Sequence, residues 1–414
     1  MTSCGERSLP GTSLQRDGML TRGLRRARAA LSIAVAVLAL TACANNFSNP
    51  FGGDAPQPQP IEQSPAANMG AGQIRVGLIL PLSAPGNAGL AATSMKNAAE
   101  MALAEFKEPN IQLLVKDDAG TPQGAQLAAQ QALDEGAEII IGPLFAQSVS
   151  AAGAVARTRN VPVIAFSTDA SVAARAVYLL SFLPESDVRR IVDYAISRGK
   201  RSFAALLPDN AYGAVVEAAF QQEVARRGGR VVALEKYPLD PGKMAEPIRR
   251  VAQAAARVDS IFIPDGADAV PQVVAGLASA GVNPKRVQLL GTGLWDDTRI
   301  FQTPALDGGW FTAPEPGGFK NFSGRYRARY GQDPVRTATL AYDAVALVAA
   351  LVKTQGAQRF SEQILTTSSG FAGIDGVFRF RADGTNERGL AVMRVSPSGA
   401  QSVSPAPRTF APGT

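Results

Sequence analysis

From residue 74 onward the chain alternates between short apolar runs and longer Ala-rich stretches. The apolar runs have the length of buried strands and occupy residues 74–80, 111–116, 138–141 and 161–166. In the first Ala-rich stretch the positions that share one helix face are Ala91, Met95, Ala98, Ala102 and Phe106. Strand–helix–strand alternation of this kind predicts a parallel sheet with helices on both faces.

The same rhythm restarts around residues 178–184. The second set of strand candidates occupies residues 202–207, 230–235, 260–263 and 287–291. The helical stretches between them lie near residues 187–198, 212–227, 244–257 and 270–280. Gly228, Gly229 and Gly281 stand where helices are expected to end. The repetition predicts a second doubly wound lobe of similar length.

The pattern of the C-terminal part predicts that the chain crosses again between the two lobes. Residues 308–313 are typical of a strand, and residues 342–352 carry a helical pattern. Residues 376–381 and 390–395 are typical of a hairpin that turns at residues 383–384. A chain that leaves one lobe, builds another and returns makes several crossovers, which is the geometry of a hinge around a cleft.

These patterns together predict an α/β fold of two doubly wound parallel-sheet lobes joined by a multi-crossover hinge. We predict the boundaries as lobe 1 at residues 73–181 and 292–370, lobe 2 at residues 182–291 and 371–398, and a disordered tail at residues 399–414. Since the cleft lies between the lobes, its chemistry is expected to come from both of them.

The N-terminal region has the pattern of an exported protein. A positive patch is formed by Arg22, Arg25, Arg26 and Arg28. The apolar run that follows, at residues 29–42, has the length of a signal-peptide core and is too short for a membrane span. We predict a signal peptide at residues 1–42, with Met19 as a second possible start, and a Pro-, Gln-, Asn- and Gly-rich disordered tether at residues 43–72.

Residues 40–43, Leu-Thr-Ala-Cys, resemble the lipobox of bacterial lipoproteins, in which a small residue precedes a cysteine that is diacylated. The resemblance implies that Cys43 anchors the mature chain in a membrane, because two acyl chains give the stable binding that one does not. By the enterobacterial sorting rule, Asn45 in place of an Asp implies the outer membrane, with the folded part in the periplasm. An ordinary signal peptide or a short membrane anchor with an incidental cysteine is the alternative.

Composition excludes several kinds of chemistry. The 414 residues include no histidine, and Cys4 leaves with the leader, so Cys43 is the one cysteine of the mature chain. We therefore predict a protein that is not an enzyme, with no catalytic residue, metal or cofactor, although a hydrolase built on two carboxylates stays open. The formal charge is +6, but arginines alternate with acidic residues along the folded part, so no nucleic-acid binding is predicted.

Several segments resemble, in the right order, the type I periplasmic-binding fold. They include Ile-Arg-Val-Gly-Leu-Ile-Leu-Pro-Leu-Ser at residues 74–83, Asp-Asp-Ala-Gly-Thr-Pro at 117–122, Ile-Gly-Pro-Leu at 141–144, Val-Pro-Val-Ile at 161–164, Asp-Asn-Ala-Tyr-Gly at 209–213 and Ala-Tyr-Asp-Ala-Val at 341–345. The resemblance extends from about residue 74 to 395, and it implies a two-lobed protein that binds a ligand across its cleft.

Within this fold, the family of leucine/isoleucine/valine-binding proteins of amino-acid ABC transporters offers a site for comparison. Its members hold the ligand's α-carboxylate with a serine after the third strand and a threonine after the fourth, where this sequence has Ala146 and Asp169. They hold the α-ammonium with an acidic residue after the last strand of lobe 2, where this sequence has Gly293. The chain therefore departs from that site at each of these positions.

A second branch, the penicillin-binding-protein activator lipoproteins, matches four further segments. These are residues 139–145, 165–168, 291–296 and 308–311, which include Gly-Thr-Gly-Leu-Trp-Asp and Gly-Gly-Trp-Phe. This resemblance implies an outer-membrane lipoprotein that regulates a peptidoglycan synthase. Enterobacterial members carry a helical-repeat domain before this fold, where this sequence has the tether. The solute receptor of an amino-acid ABC transporter is the alternative function.

Ligands of open α/β sheets bind beyond the carboxyl ends of the strands. In lobe 1 this rule selects Ser83, Ala146, Ser148, Ser167, Thr168 and Asp169, and in lobe 2 it selects Asp209, Tyr212, Asp265 and Trp295. The alternative for the serines is a helix cap or turn, and for the two aromatic residues it is packing between the lobes. The expected partner is a small amino-acid-like or peptide ligand, or else a cell-wall synthase.

Overall fold

The computed structural model describes residues 68–410, so the predicted signal peptide, Cys43 and most of the predicted tether lie outside the described residues. Lobe 1 is built on five parallel strands in the order β2-β1-β3-β4-β5. The strands are β1 (Ile74–Leu80), β2 (Ile111–Asp117), β3 (Ile139–Ile141), β4 (Val163–Ala165) and β5 (Val177–Leu179). The helices between them are α1 (Asn87–Glu105), α2 (Pro122–Asp134) and α3 (Ala146–Thr158).

The lobe 1 strands are apolar along their whole length because helices cover both sheet faces. Leu78 packs with Met95 of α1 on one face, and Ile79 packs with Val149 of α3 on the other. The strand β5 continues the lobe 1 sheet, whereas the sequence pattern predicts that the second lobe starts around residues 178–184. Lobe 1 therefore includes the residues that lead directly into the hinge.

Lobe 2 is built on seven strands in the order β15-β14-β10-β9-β8-β6-β7. Its parallel strands are β6 (Ser202–Pro208), β7 (Arg230–Tyr237), β8 (Ser260–Phe262), β9 (Gln288–Leu290) and β10 (Trp310–Ala313). Its helices are α4 (Pro184–Ser197), α5 (Ala211–Arg226), α6 (Pro241–Ala254), α7 (Val270–Ser279) and α8 (Thr298–Phe301). The parallel α/β architecture and the two lobes predicted from the sequence are confirmed.

The return to lobe 1 comes later than the predicted residue 292, because β10 pairs with β9 and keeps the chain in lobe 2 until Ala313. The returning elements are α9 (Pro316–Tyr330), α10 (Ala338–Thr354), α11 (Glu362–Leu365), β11 (Phe371–Gly373), β12 (Gly376–Phe380) and β13 (Asn386–Arg388). The last three form a separate antiparallel sheet. Phe378 and Phe380 of β12 pack in the lobe 1 core beside Tyr178, so residues 371–388 belong to lobe 1 and their predicted place in lobe 2 is wrong.

The predicted hairpin and tail also differ from the structure. The strand β12 pairs with β13, with residues 383–384 in the turn, whereas residues 390–395 enter β14 (Ala391–Ser396) in the other sheet. The strand β15 (Gly399–Ser404) pairs with β14, so the first part of the predicted disordered tail is an edge strand. Its sequence, Gly-Ala-Gln-Ser-Val-Ser, is held by backbone hydrogen bonds and lacks the apolar alternation that would have indicated a strand.

The segments that cross between the lobes include residues 180–183, 314–315 and 389–390. The first crossing lies against β13, since Asn386 Nδ2 donates to the carbonyl oxygens of Leu179 and Ser181 at 2.8 Å and Arg388 Nε donates to that of Ser181 at 2.9 Å. Among the helices of residues 68–410, none combines the length and apolar character that a membrane crossing needs.

Candidate ligand cleft

The strand-end loops of lobe 1 supply one wall of the cleft. Ser83 follows β1 and is exposed, and its backbone N–H donates to Asp117 Oδ1 at 3.2 Å. Ala146 begins α3 and is partly exposed, while Thr168, after β4, is exposed. The structure therefore places these three predicted residues at the carboxyl edge of the sheet, where a ligand could reach them.

Two other predicted lobe 1 residues form a local turn with each other. The Ser167 hydroxyl accepts the backbone N–H of Asp169 at 3.1 Å, and Asp169 Oδ1 accepts the N–H of Ser171 at 2.9 Å. Both contacts are those of caps and turns, the alternative considered from the sequence. Ser148 is fully buried inside α3, and its hydroxyl has no hydrogen-bond partner within residues 68–410.

Trp295 does not lie at the mouth of the cleft. Its side chain is fully buried in the lobe 2 core, where its indole Nε1 donates to the carbonyl oxygen of Ile263 at 3.0 Å. The indole fills the space above Gly291, since a Cβ at that glycine would meet the ring at 2.1 Å. The prediction of Trp295 as a cleft residue is therefore corrected, and its packing is within lobe 2 and not between the lobes.

The other lobe 2 candidates lie together at the strand ends. The Tyr212 hydroxyl shares a hydrogen bond of 3.1 Å with Thr292 Oγ1, which joins the loops after β6 and β9. The Tyr237 hydroxyl donates to Asp265 Oδ2 at 2.7 Å, which joins the loops after β7 and β8. Burial raises the pKa of both tyrosines above their ordinary value, so they are neutral donors. Asp209 is exposed beside them.

A carboxylate that sequence reasoning missed reaches this edge from α4. Asp187 Oδ1 accepts the Thr312 hydroxyl at 2.5 Å and the backbone N–H of Gly293 at 3.3 Å. Gly293 is the position at which the resemblance to the leucine/isoleucine/valine-binding proteins implies an acidic residue. An acid from the first turn of α4 therefore stands where the strand-end acid is lacking. The signal was faint, since α4 begins at Pro184 and the apolar pattern predicted a helix only from residue 187.

Asp187 belongs to an acidic wall, which we define as Glu185, Asp187 and Asp265. Burial raises the pKa of Asp187 to about 6, although hydrogen bonds from Thr312 and Gly293 partly oppose this. Burial also raises the pKa of Glu185; the positive charge of Arg189 opposes this rise, and the negative charge of Asp169 adds to it from the lobe 1 side. The buried Glu185 Oε2 has no hydrogen-bond partner within residues 68–410. Arg189, the cation that acts on Glu185, is itself bonded to Glu223 at 3.3 Å.

Exposed apolar side chains follow the same strand ends. Phe145, directly before α3, is 39% exposed, and Leu294, directly after Gly293, is 47% exposed. The Phe145 ring lies close to Gly120, where an added Cβ would stand 3.2 Å from it. Neither residue was among the candidates selected from the sequence. Together they give the cleft edge apolar surface from both lobes.

Residues 68–410 contain no group of three or more His, Cys, Asp or Glu side chains placed to hold a metal ion. The strand ends carry hydroxyl groups, carboxylates and apolar surface, which are the kinds of groups that line small-molecule sites.

Comparison with protein families agrees with this geometry. Residues 73–401 match the family described as periplasmic binding protein. The chain therefore belongs to the periplasmic-binding-protein family. No curated protein matches it in sequence.

Solved structures show the same type I fold. A Rhodospirillum rubrum protein assigned to branched-chain amino acid ABC transport has a TM-score of 0.71 at 18% identity, over 80% of this chain and 99% of that one. An ABC transporter substrate-binding protein from Desulfitobacterium hafniense in complex with Leu has a TM-score of 0.59 at 19% identity, over 80% and 99%. An R. palustris solute-binding protein in complex with benzoate has a TM-score of 0.56 at 20% identity, over 82% and 98%.

Proposed function

We propose that the protein is a solute receptor of an ABC transporter and that its cleft binds, without transforming, a small amine-bearing molecule such as an amino acid. The family match favours this receptor function over the regulation of a cell-wall synthase, which stays a prediction from sequence resemblance and has no support among the comparisons. The observation that carries the proposal is the position of Asp187 at the backbone N–H of Gly293.

Asp187 has one oxygen free for a ligand. Both of its hydrogen bonds, from Thr312 and Gly293, end on Oδ1, and Oδ2 has no donor within residues 68–410. A carboxylate that is fixed through one oxygen presents the other in a constant direction, which suits an ammonium group. The unpaired Glu185 Oε2 adds negative charge to the same wall. A ligand cation would be attracted to these carboxylates.

The apolar edge indicates the rest of the solute. Phe145 and Leu294 offer exposed surface from opposite lobes, and closing the lobes on an apolar group would bury it at about 25 cal/mol per Å². A hydrophobic or aromatic amino acid fits these features. The related structures bind leucine in one case and benzoate in another, so both solutes are reasonable probes.

The lipid anchor bears on the partner. We propose that Cys43 is acylated and that residues 43–72 link it to the folded part. If these residues form the disordered tether that their composition predicts, its root-mean-square span would be roughly 30 Å, and the domain would stay near the membrane that holds the lipid. A receptor that delivers its solute to a transporter in the inner membrane then needs its lipid anchor in that membrane, whereas Asn45 predicts an anchor in the outer membrane. Membrane fractionation therefore distinguishes the two functions. A protein found in the inner membrane fits the receptor, and one found in the outer membrane fits the cell-wall regulator.

Thermal unfolding of the chain from residue 43, made lipid-free by Cys43→Ser, tests the receptor function. The solutes are the amino acids, benzoate, short peptides and muropeptides. A solute that binds only the folded state stabilises it by about 2.7 kcal/mol at a hundredfold excess over Kd, which raises Tm. We expect a rise with one or more amine-bearing amino acids. A Tm that no small solute raises, or that only muropeptides raise, would contradict the proposal.

A further inference from the structure

A cluster of charged side chains lies where the crossing segments meet. We define the hinge cluster as Phe182, Arg336, Asp343, Asp375 and Arg388. Phe182 lies in the first crossing, Arg336 precedes α10, and Arg388 is the last residue before the crossing to β14. The guanidinium carbons of Arg336 and Arg388 lie 4.7 and 4.5 Å from the centre of the Phe182 ring. The cluster therefore joins the returning segments to the first crossing.

Arg336 is held in a fixed orientation by these neighbours. Its Nη1 and Nη2 donate to the two carboxylate oxygens of Asp375 at 2.9 and 2.6 Å, and Nη1 also donates to Thr339 Oγ1 at 3.2 Å. The Phe319 ring centre lies 4.5 Å from its guanidinium carbon. Two ring contacts and a bidentate carboxylate define the plane of the guanidinium, so its remaining donors point in a set direction.

One edge of this guanidinium is unused. A guanidinium carries five N–H donors, and those of Nε and the second hydrogen of Nη2 lie along one edge. Neither of them has a partner within residues 68–410, because the contacts of Arg336 are made by Nη1 and by one hydrogen of Nη2. The Arg336 side chain is 40% exposed, whereas Asp375 is fully enclosed. The free edge therefore has access to solvent, and its geometry matches a carboxylate.

The cluster is also short of negative charge. Arg388 is 5% exposed, and its Nη1 and Nη2 have no hydrogen-bond partner within residues 68–410. Asp343 is 3% exposed, and its Oδ2 is likewise unpaired. Burial raises the pKa of Asp343 to about 7, so near neutral pH this carboxyl carries only part of a negative charge against the two arginines. An additional anion at the cluster would be electrostatically favoured.

The contact with Phe182 places Arg336 beside the first crossing between the lobes. The charge of Arg336 also reaches lobe 2, since it opposes the rise that burial causes in the pKa of Asp296, which lies three residues along the chain from Gly293. Arg336 therefore lies at the hinge, and the lobe 2 loop that carries the proposed ammonium contact is within range of its charge.

We propose that Arg336 is the carboxylate anchor of the cleft and that it receives the acid group of the ligand along its Nε–Nη2 edge. This inference rests on the proposed receptor function and sharpens it, since the ligand becomes a molecule with a carboxylate as well as an amine. Asp375 and the two phenylalanines are positioning residues for the anchor. Arg336 holds the ligand carboxylate, for which Ala146 and Asp169 have no suitable side-chain group.

Nitrogen-15 NMR of the Arg336 side chain tests the anchor directly. The mature chain with Cys43→Ser is labelled on arginine, and the Nε–H signal of Arg336 is assigned by its loss in Arg336→Lys. Leucine is compared with leucinamide, and sodium benzoate with benzamide. We expect the Arg336 signal to shift with an acid that binds and to stay in place with the matching amide.

Affinity measurements on Arg336→Gln complete the test, with Arg327→Gln as the matched control on the surface of α9. We expect Arg336→Gln to weaken binding of the acid at least tenfold and to leave the amide unchanged, while Arg327→Gln changes neither. An equal loss for acid and amide, or an acid that moves other cleft signals without moving that of Arg336, overturns the anchor and leaves the receptor standing. If neither acid moves any cleft signal, the receptor proposal fails for both solute classes and the anchor fails with it.

Discussion

The two walls of the cleft use their polar side chains differently. In lobe 1, Ser167 and Asp169 bond to backbone groups two residues away. In lobe 2, Asp187 reaches a glycine 106 positions away in the sequence, and Tyr212 reaches Thr292. Side chains that complete local turns hold a loop in shape, whereas side chains that join distant loops bring unpaired atoms together. The difference predicts that Asp187, and not Asp169, is the carboxylate that meets the amine of a ligand.

The largest expected effect is a loss of stability that distinguishes a core residue of lobe 2 from an exposed one. Trp295→Ala should lower the free energy of unfolding by about 3–5 kcal/mol, because the indole is fully buried and its N–H is bonded to Ile263. Chemical denaturation measures this loss. Leu294→Ala, at the exposed neighbouring position, is the control and should change stability by less than about 0.5 kcal/mol. A Trp295→Ala protein of unchanged stability that no longer binds ligand would restore Trp295 to the cleft.

The hinge cluster should give stability a distinct pH dependence. The pKa of Asp343 rises from its ordinary value of 3.8 to about 7 in the folded state, so the folded state holds this proton more tightly than the unfolded chain. The stabilising effect is complete below pH 3.8 and is lost as pH rises through 7, by up to about 4 kcal/mol.

Asp343→Asn should remove this slope, which denaturation at several pH values would show. Asp333→Asn, at a surface position with 64% of its side chain exposed, is the control and should leave the slope as it is. If the two variants and the parent chain follow the same curve between pH 4 and 7, the buried carboxyl does not titrate as described.

The contrast between the walls is tested most simply by replacing one aspartate in each wall with asparagine. Asp187→Asn should weaken binding of an amine-bearing solute by about 2 kcal/mol, roughly thirtyfold, because it removes the charge that faces the ammonium group. Asp169→Asn, in lobe 1, should have a much smaller effect, since its carboxylate caps its own turn. Calorimetric titration compares them, and equal losses would refute the division of roles.

The same carboxylate makes the affinity depend on pH. With the pKa of Asp187 raised to about 6, its charge is largely lost below that pH and complete well above it. Affinity for an amine-bearing solute should therefore fall as pH decreases from 7.5 to 5, and Asp187→Asn should flatten this dependence. An affinity that is constant across this range would show that a different group holds the amine.

The smallest effect is expected in the lobe 1 turn. Ser167→Ala removes the acceptor for the Asp169 N–H and should cost about 1 kcal/mol of stability without a change in affinity. Thr168→Ala, one residue along at an exposed position, is the control. A loss of affinity with Ser167→Ala would make this loop part of the site and bring the two walls closer in function.

Much of the fold followed from the sequence because its signals are local. The apolar run at 74–80 became β1, and the helical pattern at 212–227 became α5 with a shift of one residue. Two strands, β5 and β15, were not predicted. The polar β15 carries no apolar alternation, since an edge strand can be held by backbone bonds alone. The return to lobe 1 was misplaced because strand pairing between β9 and β10 leaves no mark in either segment.

The site was less predictable than the fold. Tyr212, Asp265 and the loop around Gly293 lie at the strand ends of lobe 2, as the strand-end rule predicts, because that rule follows from topology; their part in a ligand site stays a prediction. Side-chain direction does not follow from topology, so Trp295 was placed in the cleft when it points into the core. The contact between Asp187 and Gly293 depends on the packing of α4 against β10, and no spacing within either segment reveals it.

The central claim is that the cleft recognises an amine through Asp187. The most direct measurement is calorimetric titration of the lipid-free chain with an amino acid that raises its Tm and with the same acid lacking the amine, such as leucine and 4-methylpentanoate. The account predicts that the amine-free acid binds at least tenfold more weakly to the parent chain and that Asp187→Asn removes most of this difference. Equal affinities of the parent chain for the two acids would contradict it.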